Sequence, residues 1–151
     1  MNMKRLLVLG VFLFAVVSMA TISAETTQEI TLDGIHFKIP EGYTAVEKEL
    51  DAANLTETED IDGTAVDTEV TSEYKNAAGD ELEFQVGARD NQKIDSINPA
   101  NAEKKNIAGK DGFLIKETDD SKDKFEFEYL QDGKIVKITA VSEDIISQVI
   151  A

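Results

Sequence analysis

Cysteine and tryptophan are both absent from this chain, and histidine occurs only once, as His36. Without cysteine the protein can form no disulfide, carry no thioether-linked lipid and support no Cys–His catalysis. No serine lies in a nucleophile-elbow pattern, and the lack of tryptophan argues against a sugar-stacking surface. Basic residues are also scarce, with 15 against 30 acidic ones and a net charge of −15. Charge of that sign disfavours nucleic acids and anionic lipids as partners and favours cations or basic partners.

The long apolar run of the sequence lies at its N-terminal end. It covers residues 6–17, follows Lys4 and Arg5, and leads into a stretch of small residues that ends at Ala24. A basic start, an apolar segment of this length and a small-residue exit are typical of a secretory signal peptide. The sequence therefore predicts export, with cleavage after Ala24 favoured over cleavage after Ala20.

An uncleaved membrane anchor is the alternative interpretation of this segment. Residues 6–22 are seventeen in number, at the lower end of the roughly 17–25 residues that span a bilayer. On that interpretation the protein stays at the cell surface, and its contact with the membrane is limited to this segment. Cleavage of a signal peptide at 1–24 would instead release residues 25–151, a length typical of one domain. The net charge would then be −17, because 1–24 hold two basic residues and no acidic one. We expect a secreted or extracytoplasmic protein.

Two Asp-Gly pairs predict β-hairpins of the same kind. Apolar and polar residues alternate on both sides of Asp33-Gly34 and of Asp132-Gly133. Asp-Gly tolerates the positive φ angles of a type I′ turn, and counting outward from each turn places apolar residues opposite one another. The predicted pairs are Leu32 with Ile35 and Ile30 with Phe37 in the first hairpin, and Tyr129 with Val136, Phe127 with Ile138 and Phe125 with Ala140 in the second.

The remaining pattern predicts more strands and a closing helix. Ser142 is a good N-cap, and isoleucine and valine follow it at helical spacing. The fold class is therefore α+β: an antiparallel sheet built from hairpins, with a C-terminal helix and one or two further short helices packed on it. The other predicted elements are strand-forming residues at 66–74, a strand at 81–88, strands at 105–108 and 113–117 joined by a turn at 109–112, and a short helical turn at 100–104 after Pro99.

An acidic stretch follows the first hairpin. Residues 47–73 hold ten acidic side chains and a single basic one, Lys48. Such a block repels itself and is strongly hydrated. We therefore expect a mobile, acidic excursion at about 45–65 within the single domain at 25–151.

Part of the acidic stretch is similar to a calcium-binding EF-hand loop. With Thr58 at position 1, Asp60, Asp62, Gly63 and Glu69 fall at positions 3, 5, 6 and 12, which require carboxylates, a sharp turn and a bidentate glutamate. Thr58 replaces the usual aspartate, and no clear helices flank the loop. A weak Ca²⁺ site held by Asp60, Asp62 and Glu69 is thus one interpretation, and a solvated acidic loop is the other. No other cofactor is indicated.

Two isolated residues have simpler interpretations. Asn54-Leu55-Thr56 matches the N-glycosylation sequon, so Asn54 is a candidate acceptor in an exported protein, although the sequon can also stay unused. His36 falls on the polar face of the first hairpin and is interpreted as an exposed strand residue. No group of nucleophile, base and stabilising donor can be assembled, and no catalytic residue is assigned.

The segment Gly-Ile-His-Phe-Lys-Ile-Pro-Glu-Gly-Tyr at 34–43 resembles the first strand of Mog1/PsbP-like domains. The similarity continues in 107–109, in Gly112 before a strand, in the paired strands around 132–133 and in the closing helix. The chain also looks like a group of small exported proteins of unknown function from methanogenic archaea. The resemblance covers about half of the exported chain and implies an antiparallel sheet with helices packed on it. Members of such families mostly bind or assemble with other proteins and share no active site.

Taken together, these observations favour a non-catalytic binding or interaction module at the cell surface or in the extracytoplasmic space. Its expected partner is a protein or a surface polymer, and not a nucleic acid. The alternative function is weak Ca²⁺ binding through residues 58–69, and an enzyme comes third.

Overall fold

A central antiparallel sheet organises the protein in a computed structural model, which describes residues 28–46 and 59–151. The described elements are β1 (Gln28–Leu32), β2 (Ile35–Ile39), β3 (Thr44–Ala45), β4 (Glu59–Ile61), β5 (Thr64–Val66), β6 (Thr68–Lys75), β7 (Glu81–Ala88), β8 (Glu103–Ile107), β9 (Lys110–Asp119), β10 (Lys122–Gln131), β11 (Lys134–Ala140) and the helix α1 (Glu143–Val149). Seven strands form the sheet in the order β3-β6-β7-β11-β10-β9-β8, and β1–β2 and β4–β5 are separate two-stranded hairpins. The α+β class with an antiparallel sheet is confirmed.

Both hairpins predicted from Asp-Gly pairs have the expected register. Ile30 lies opposite Phe37 in β1–β2, and Phe127 lies opposite Ile138 in β10–β11. Asp33 and Asp132 adopt φ angles of 47° and 53°, as a type I′ turn requires of its first central residue. Local turn chemistry therefore sets these two pairings.

The main core lies on one face of the sheet, under the β1–β2 hairpin and α1. Phe37 of the hairpin is fully buried and stacks against Phe84 of β7, with ring centroids 4.6 Å apart. Ile146 and Val149 of the helix complete the same cluster. Ser142 caps the helix as expected, since its Oγ accepts a hydrogen bond from the amide of Ile145.

The opposite face carries a second, smaller core under the β4–β5 hairpin. Ile61 and Val66 of the hairpin pack with Ile135 of β11 and with Ile94 from the loop after β7. Residues 59–66, which fall at the end of the acidic excursion expected at 45–65 and just beyond it, form a β-hairpin whose Ile61 and Val66 side chains are buried. Residues 47–58 lie outside the described part of the chain.

Gly87 explains how closely this hairpin approaches the sheet. A Cβ atom at Gly87 would lie 2.7 Å from Ile61 Cδ1 and 2.7 Å from Val66 Cγ1. Glycine therefore leaves the space that the two hairpin side chains fill, which positions β4–β5 over β7 and β11.

The turn between β8 and β9 differs from the predicted one. It lies at 108–109, so Gly112 is inside β9 opposite Tyr129. A Cβ atom at Gly112 would lie 2.3 Å from the carbonyl oxygen of Glu128 and 2.8 Å from the ring of Phe127. Gly112 thus serves close packing within the sheet and not a turn. The short helical turn predicted at 100–104 is also wrong, since β8 already begins at Glu103.

The predicted signal peptide lies outside the described residues. Within the part of the chain that the structure describes, no helix is long and apolar enough to cross a membrane.

Candidate functional site

A cluster of charged side chains lies between the sheet and the β4–β5 hairpin. Lys137 of β11 donates to Asp62 in the hairpin turn at 2.7 Å and lies 3.1 Å from a carboxylate oxygen of Glu126 on β10. Glu128, the next residue on the same face of β10, is completely buried. We call Asp62, Glu126, Glu128 and Lys137 the buried charge cluster.

The position of Asp62 follows from its hairpin turn. Asp62-Gly63 has φ angles of 47° and 88°, so it is a third Asp-Gly turn of the kind seen at 33–34 and 132–133. Asp60 stabilises the turn, because its Oδ1 accepts a hydrogen bond from the amide of Gly63. The turn carries the Asp62 carboxylate to Lys137 in the sheet.

Glu128 is the member whose protonation is most altered by the fold. Burial, and then the hydrogen bond and negative charge of Asp62, raise the pKa of Glu128 to about 9. In the described part of the chain no N–H or hydroxyl group donates to either Glu128 oxygen. The neutral acid can instead donate its own proton to Asp62, so Glu128 is protonated at neutral pH.

The remaining charges of the cluster support the protonation of Glu128 at neutral pH. The hydrogen bond from Glu128, and beyond it the ion pair with Lys137, lower the pKa of Asp62. Burial alone would lower the pKa of Lys137, but the carboxylates of Asp62 and Glu126 outweigh it and raise that pKa. Lys124 also pairs with Glu126, at 3.0 Å. Two carboxylates thus face two ammonium groups, and ionised Glu128 would add an uncompensated negative charge.

The residues of the calcium interpretation occupy three different elements. Asp60 lies in β4 and Asp62 in the turn, whereas Glu69 lies in β6 and accepts hydrogen bonds from Thr71 and Gln85. Within the described residues no group of three acidic or histidine side chains is placed to hold a metal ion. Thr58 lies outside the described residues. The geometry therefore adds no support to the calcium hypothesis.

The other two residues singled out from the sequence are His36 and Asn54. His36 is exposed on β2, and its Nδ1 is hydrogen-bonded to the hydroxyl of Thr31 at 2.8 Å. Asn54 lies outside the described residues.

Sequence reasoning assigned no role to the loop that follows β7, at 89–96. This loop is anchored at both ends: Asp67 accepts a hydrogen bond from the amide of Asp90, and the amide of Ile94 donates to the carbonyl of Gly133. The side chain of Ile94 is buried in the second core and adds an apolar contact at the same end of the loop. The loop therefore has a defined position over one end of the sheet.

Two adjoining depressions, of about 290 and 330 Å³, open on this loop. The first lies between the loop and the β10–β11 turn, and the second lies between the loop and the β4–β5 hairpin at 63–65. Arg89 and Lys93 line both of them. We call the two depressions together the loop surface.

The loop surface has a local charge opposite to that of the molecule. Arg89, Lys93 and Lys134 face Asp90 and Asp132 in the first depression. In the second, Arg89 and Lys93 face Asp95 alone. Basic side chains thus exceed acidic ones by one in each depression, in a chain of net charge −15.

Arg89 and Lys93 are also unpaired. Lys134 is engaged by Asp33, 3.2 Å away, whereas within residues 28–46 and 59–151 neither Arg89 nor Lys93 forms an ion pair or a side-chain hydrogen bond. The stem of Lys93 packs on Gly133, where a Cβ atom would lie 2.7 Å from Lys93 Cγ. One cation is therefore fixed along its stem, and both are available to a ligand.

The sequence contains only weak indications of the functional residues that its pattern did not identify. Leu130 and Ile135 pair across β10 and β11 on the face assigned to solvent, and two apolar side chains there indicate that something covers this face. Arg89 is the only arginine after Arg5 in the sequence, but its rarity says nothing about location.

Comparisons of the chain with protein-family models, with curated proteins and with solved structures found no match. The resemblance to Mog1/PsbP-like domains therefore stays a prediction, and the case for a function depends on geometry and charge.

Proposed function

We propose that the protein is an exported, non-catalytic binding module and that the loop surface is its contact site. The observation that carries this proposal is the combination of two depressions at one end of the sheet with two cations, Arg89 and Lys93, that form no ion pair with any described residue. Ligand sites are typically concave and hold a few convergent polar groups. The partner is a protein or a surface polymer.

Three parts of the chain build the surface, and each is held by specific contacts. The loop at 89–96 is anchored on Ile94, the hairpin at 59–66 on Gly87 and the buried charge cluster, and the β10–β11 turn on the ion pair between Lys134 and Asp33. A surface held in this way loses little conformational entropy on binding, which favours affinity.

Photo-crosslinking in the cells that produce the chain tests this proposal. A benzophenone amino acid replaces Gln92, which is exposed in the loop surface, and in a matched variant it replaces Asp120, which is exposed in the β9–β10 turn. The two positions lie at opposite ends of β10. We expect a discrete crosslinked product from position 92 and none from position 120.

Equal products from the two positions, a product from position 120 alone, or no product from either would contradict the proposal. Both side chains are exposed, but Asp120 has a positive φ of 44°, which a bulky side chain tolerates poorly, so thermal unfolding of both variants first verifies that each one folds.

A further inference from the structure

We infer that the loop surface binds a compact anionic group, a carboxylate or a phosphate or sulfate ester, between Arg89 and Lys93. This inference rests on the proposed function and adds the chemical class of the ligand.

The charge distribution is the first argument. Of the eleven lysines in the described residues, six have a carboxylate within 4.0 Å, namely Lys75, Lys105, Lys116, Lys124, Lys134 and Lys137. Arg89 and Lys93 have none within 4.0 Å among the described residues, although Asp90 and Asp95 are close in sequence. Lys38, Lys104, Lys110 and Lys122 also form no ion pair within the described residues, but of these six cations Arg89 and Lys93 are the two that line the depressions.

The chemistry of the side chains is the second argument. A guanidinium is planar and offers parallel N–H groups that match two oxygens of a carboxylate, phosphate or sulfate. A lysine ammonium supplies a point charge from the other side. The amide side chains of Asn91 and Gln92 line the first depression as well and can donate further hydrogen bonds.

The geometry of Lys93 is the third argument. Its stem lies against Gly133, where no Cβ atom would fit, so the side chain loses part of its freedom before any ligand arrives. Ordering a free lysine costs side-chain conformational entropy, and this packing removes part of that cost. The depressions, at about 290 and 330 Å³, have room for such a group together with the part of the partner that carries it.

The net negative charge of the chain bears on selectivity. At long range a charge of −15 repels anions, so a freely diffusing polyanion is disfavoured. At short range Arg89 and Lys93 lie within a Debye length of a bound group, about 8 Å at physiological ionic strength. A single anionic group on a largely neutral or basic partner therefore fits best.

NMR titration of the full chain tests the inference with defined probes. The chain has only two arginines, Arg5 and Arg89, so its arginine Nε–H spectrum contains two signals, and the Arg89→Lys variant identifies one of them. Sodium acetate, inorganic phosphate and sodium sulfate are titrated separately at constant ionic strength, with chloride as the balancing anion. We expect a saturable shift of the Arg89 signal with at least one probe.

The anion that gives a saturable shift identifies the chemical group that the site recognises. Saturation by acetate alone points to carboxylate groups, whereas saturation by phosphate or sulfate points to esters, and either result supports the inference. Arg89→Gln and Lys93→Gln should each weaken binding by about tenfold, because each variant loses a charge-assisted hydrogen bond to the anion. The Gly133 amide reports binding in the first variant. Lys104→Gln, an exposed lysine on β8, changes the net charge equally and should leave binding unchanged.

Linear, unsaturated shifts with all three probes would overturn the inference, and so would an equal loss of binding in Lys104→Gln. If crosslinking from position 92 persists in that case, the binding-module proposal stands and only the ligand class is wrong. If crosslinking fails while an anion saturates the site, the site binds a small anion and the proposed partner is wrong.

Discussion

Glu128 is the residue whose chemistry the fold changes most. It is fully buried and has Asp62 as its neighbour, and its pKa is raised to about 9. An acid kept neutral in this way acts as a hydrogen-bond donor, so it links the β4–β5 hairpin to the sheet only while it holds its proton. The β4–β5 hairpin forms one wall of the loop surface, and the position of that wall thus depends on the protonation of Glu128.

We predict that stability falls as pH rises from about 5 to about 9. The pKa of Glu128 is raised from 4.5 in the unfolded chain to about 9 in the folded one, so the folded state holds an extra proton between these values. Its contribution is complete below pH 4.5 and is lost as pH rises to about 9, at up to about 1.4 kcal/mol per pH unit. Thermal unfolding of the wild type across this range measures the slope.

Glu128→Gln should remove most of that slope. The amide donates to Asp62 as the neutral acid does, so at pH 8 the variant should be more stable than the wild type by about 2 kcal/mol or more, and at pH 5 the two should be similar. Lys137→Met is the contrasting variant. It leaves Asp62 and Glu126 without their shared cation and should lower stability at both pH values by roughly 3 kcal/mol.

The other shifted groups act outside this window. The raised pKa values of Lys105, Lys124 and Lys137 concern the loss of stability above about pH 10.5, and the lowered pKa of Asp62 concerns acid below about pH 3.8. A wild type whose stability rises between pH 5 and 9, or a Glu128→Gln variant with an unchanged slope, would contradict the protonation assigned to Glu128.

The sequence could not identify Glu128 as buried. Glu126 and Glu128 alternate with Phe125, Phe127 and Tyr129, and that alternation correctly predicts the apolar face of β10. A polar face is buried only when another element covers it, and here the cover is a hairpin more than fifty residues earlier in the chain. Local periodicity carries no information about such a contact.

At the scale of elements, glycines in strands decide how closely neighbours pack. Gly112 was interpreted as part of a turn because glycine is common in turns, yet it lies in β9 against Phe127. Gly87 lies in β7 and makes room for Ile61 and Val66. A glycine within a strand pattern can therefore indicate a close approach that only the tertiary structure reveals.

Gly87→Ala should displace the β4–β5 hairpin. Its Cβ atom would lie 2.7 Å from Ile61 Cδ1, and overpacking of this kind costs roughly 1–3 kcal/mol. Ile61→Val deletes that Cδ1 and alone should cost about 1 kcal/mol. Because it also relieves one of the two closest contacts, the other being with Val66 Cγ1, the double variant should be more stable than the sum of the two losses implies, as measured by denaturant unfolding of all four proteins.

Strict additivity in this cycle would show that the hairpin does not pack on Gly87. Hydrogen exchange supplies an independent check on the same variants. Amides at 59–66 should exchange faster in Gly87→Ala than in the wild type, whereas those of α1 should be unchanged, because the helix packs in the core on the opposite face of the sheet.

The three Asp-Gly turns show what local sequence patterns can and cannot predict about hairpins. The pairs at 33–34 and 132–133 are flanked by long alternating strands and were correctly predicted as hairpins. The pair at 62–63 has the same backbone conformation, but the acidic residues around it also match a calcium loop. Short flanking strands of three residues give too little periodicity to decide between the two.

For the whole molecule, turn chemistry predicts which neighbouring strands pair but not how the pairs assemble. β7 pairs with β11, which follows it by almost fifty residues, with Phe84 opposite Ile138. This pairing joins the N-terminal and C-terminal halves of the sheet, and its register depends on the shared core. The class of the fold was therefore predictable, whereas the strand order was not.

The distribution of charge, like the strand order, could be predicted from the sequence only in part. Composition predicts an acidic molecule and thereby disfavours anionic partners. The fold nevertheless brings Arg89 and Lys93, four residues apart, onto one concave surface that the β10–β11 turn and the β4–β5 hairpin complete. The net charge sets the electrostatic potential far from the molecule, whereas binding at a site depends on the charges close to the ligand.

Hydrogen exchange of the complex tests most directly whether the loop surface is the contact site. The chain is measured alone and with the partner that co-purifies with it from the cells that produce it. We predict slower exchange at 88–96 and 132–134 in the complex, with no change at 118–123 at the other end of β10. Protection at 118–123 or along β8 with 88–96 unchanged, or the absence of any complex, would contradict the account.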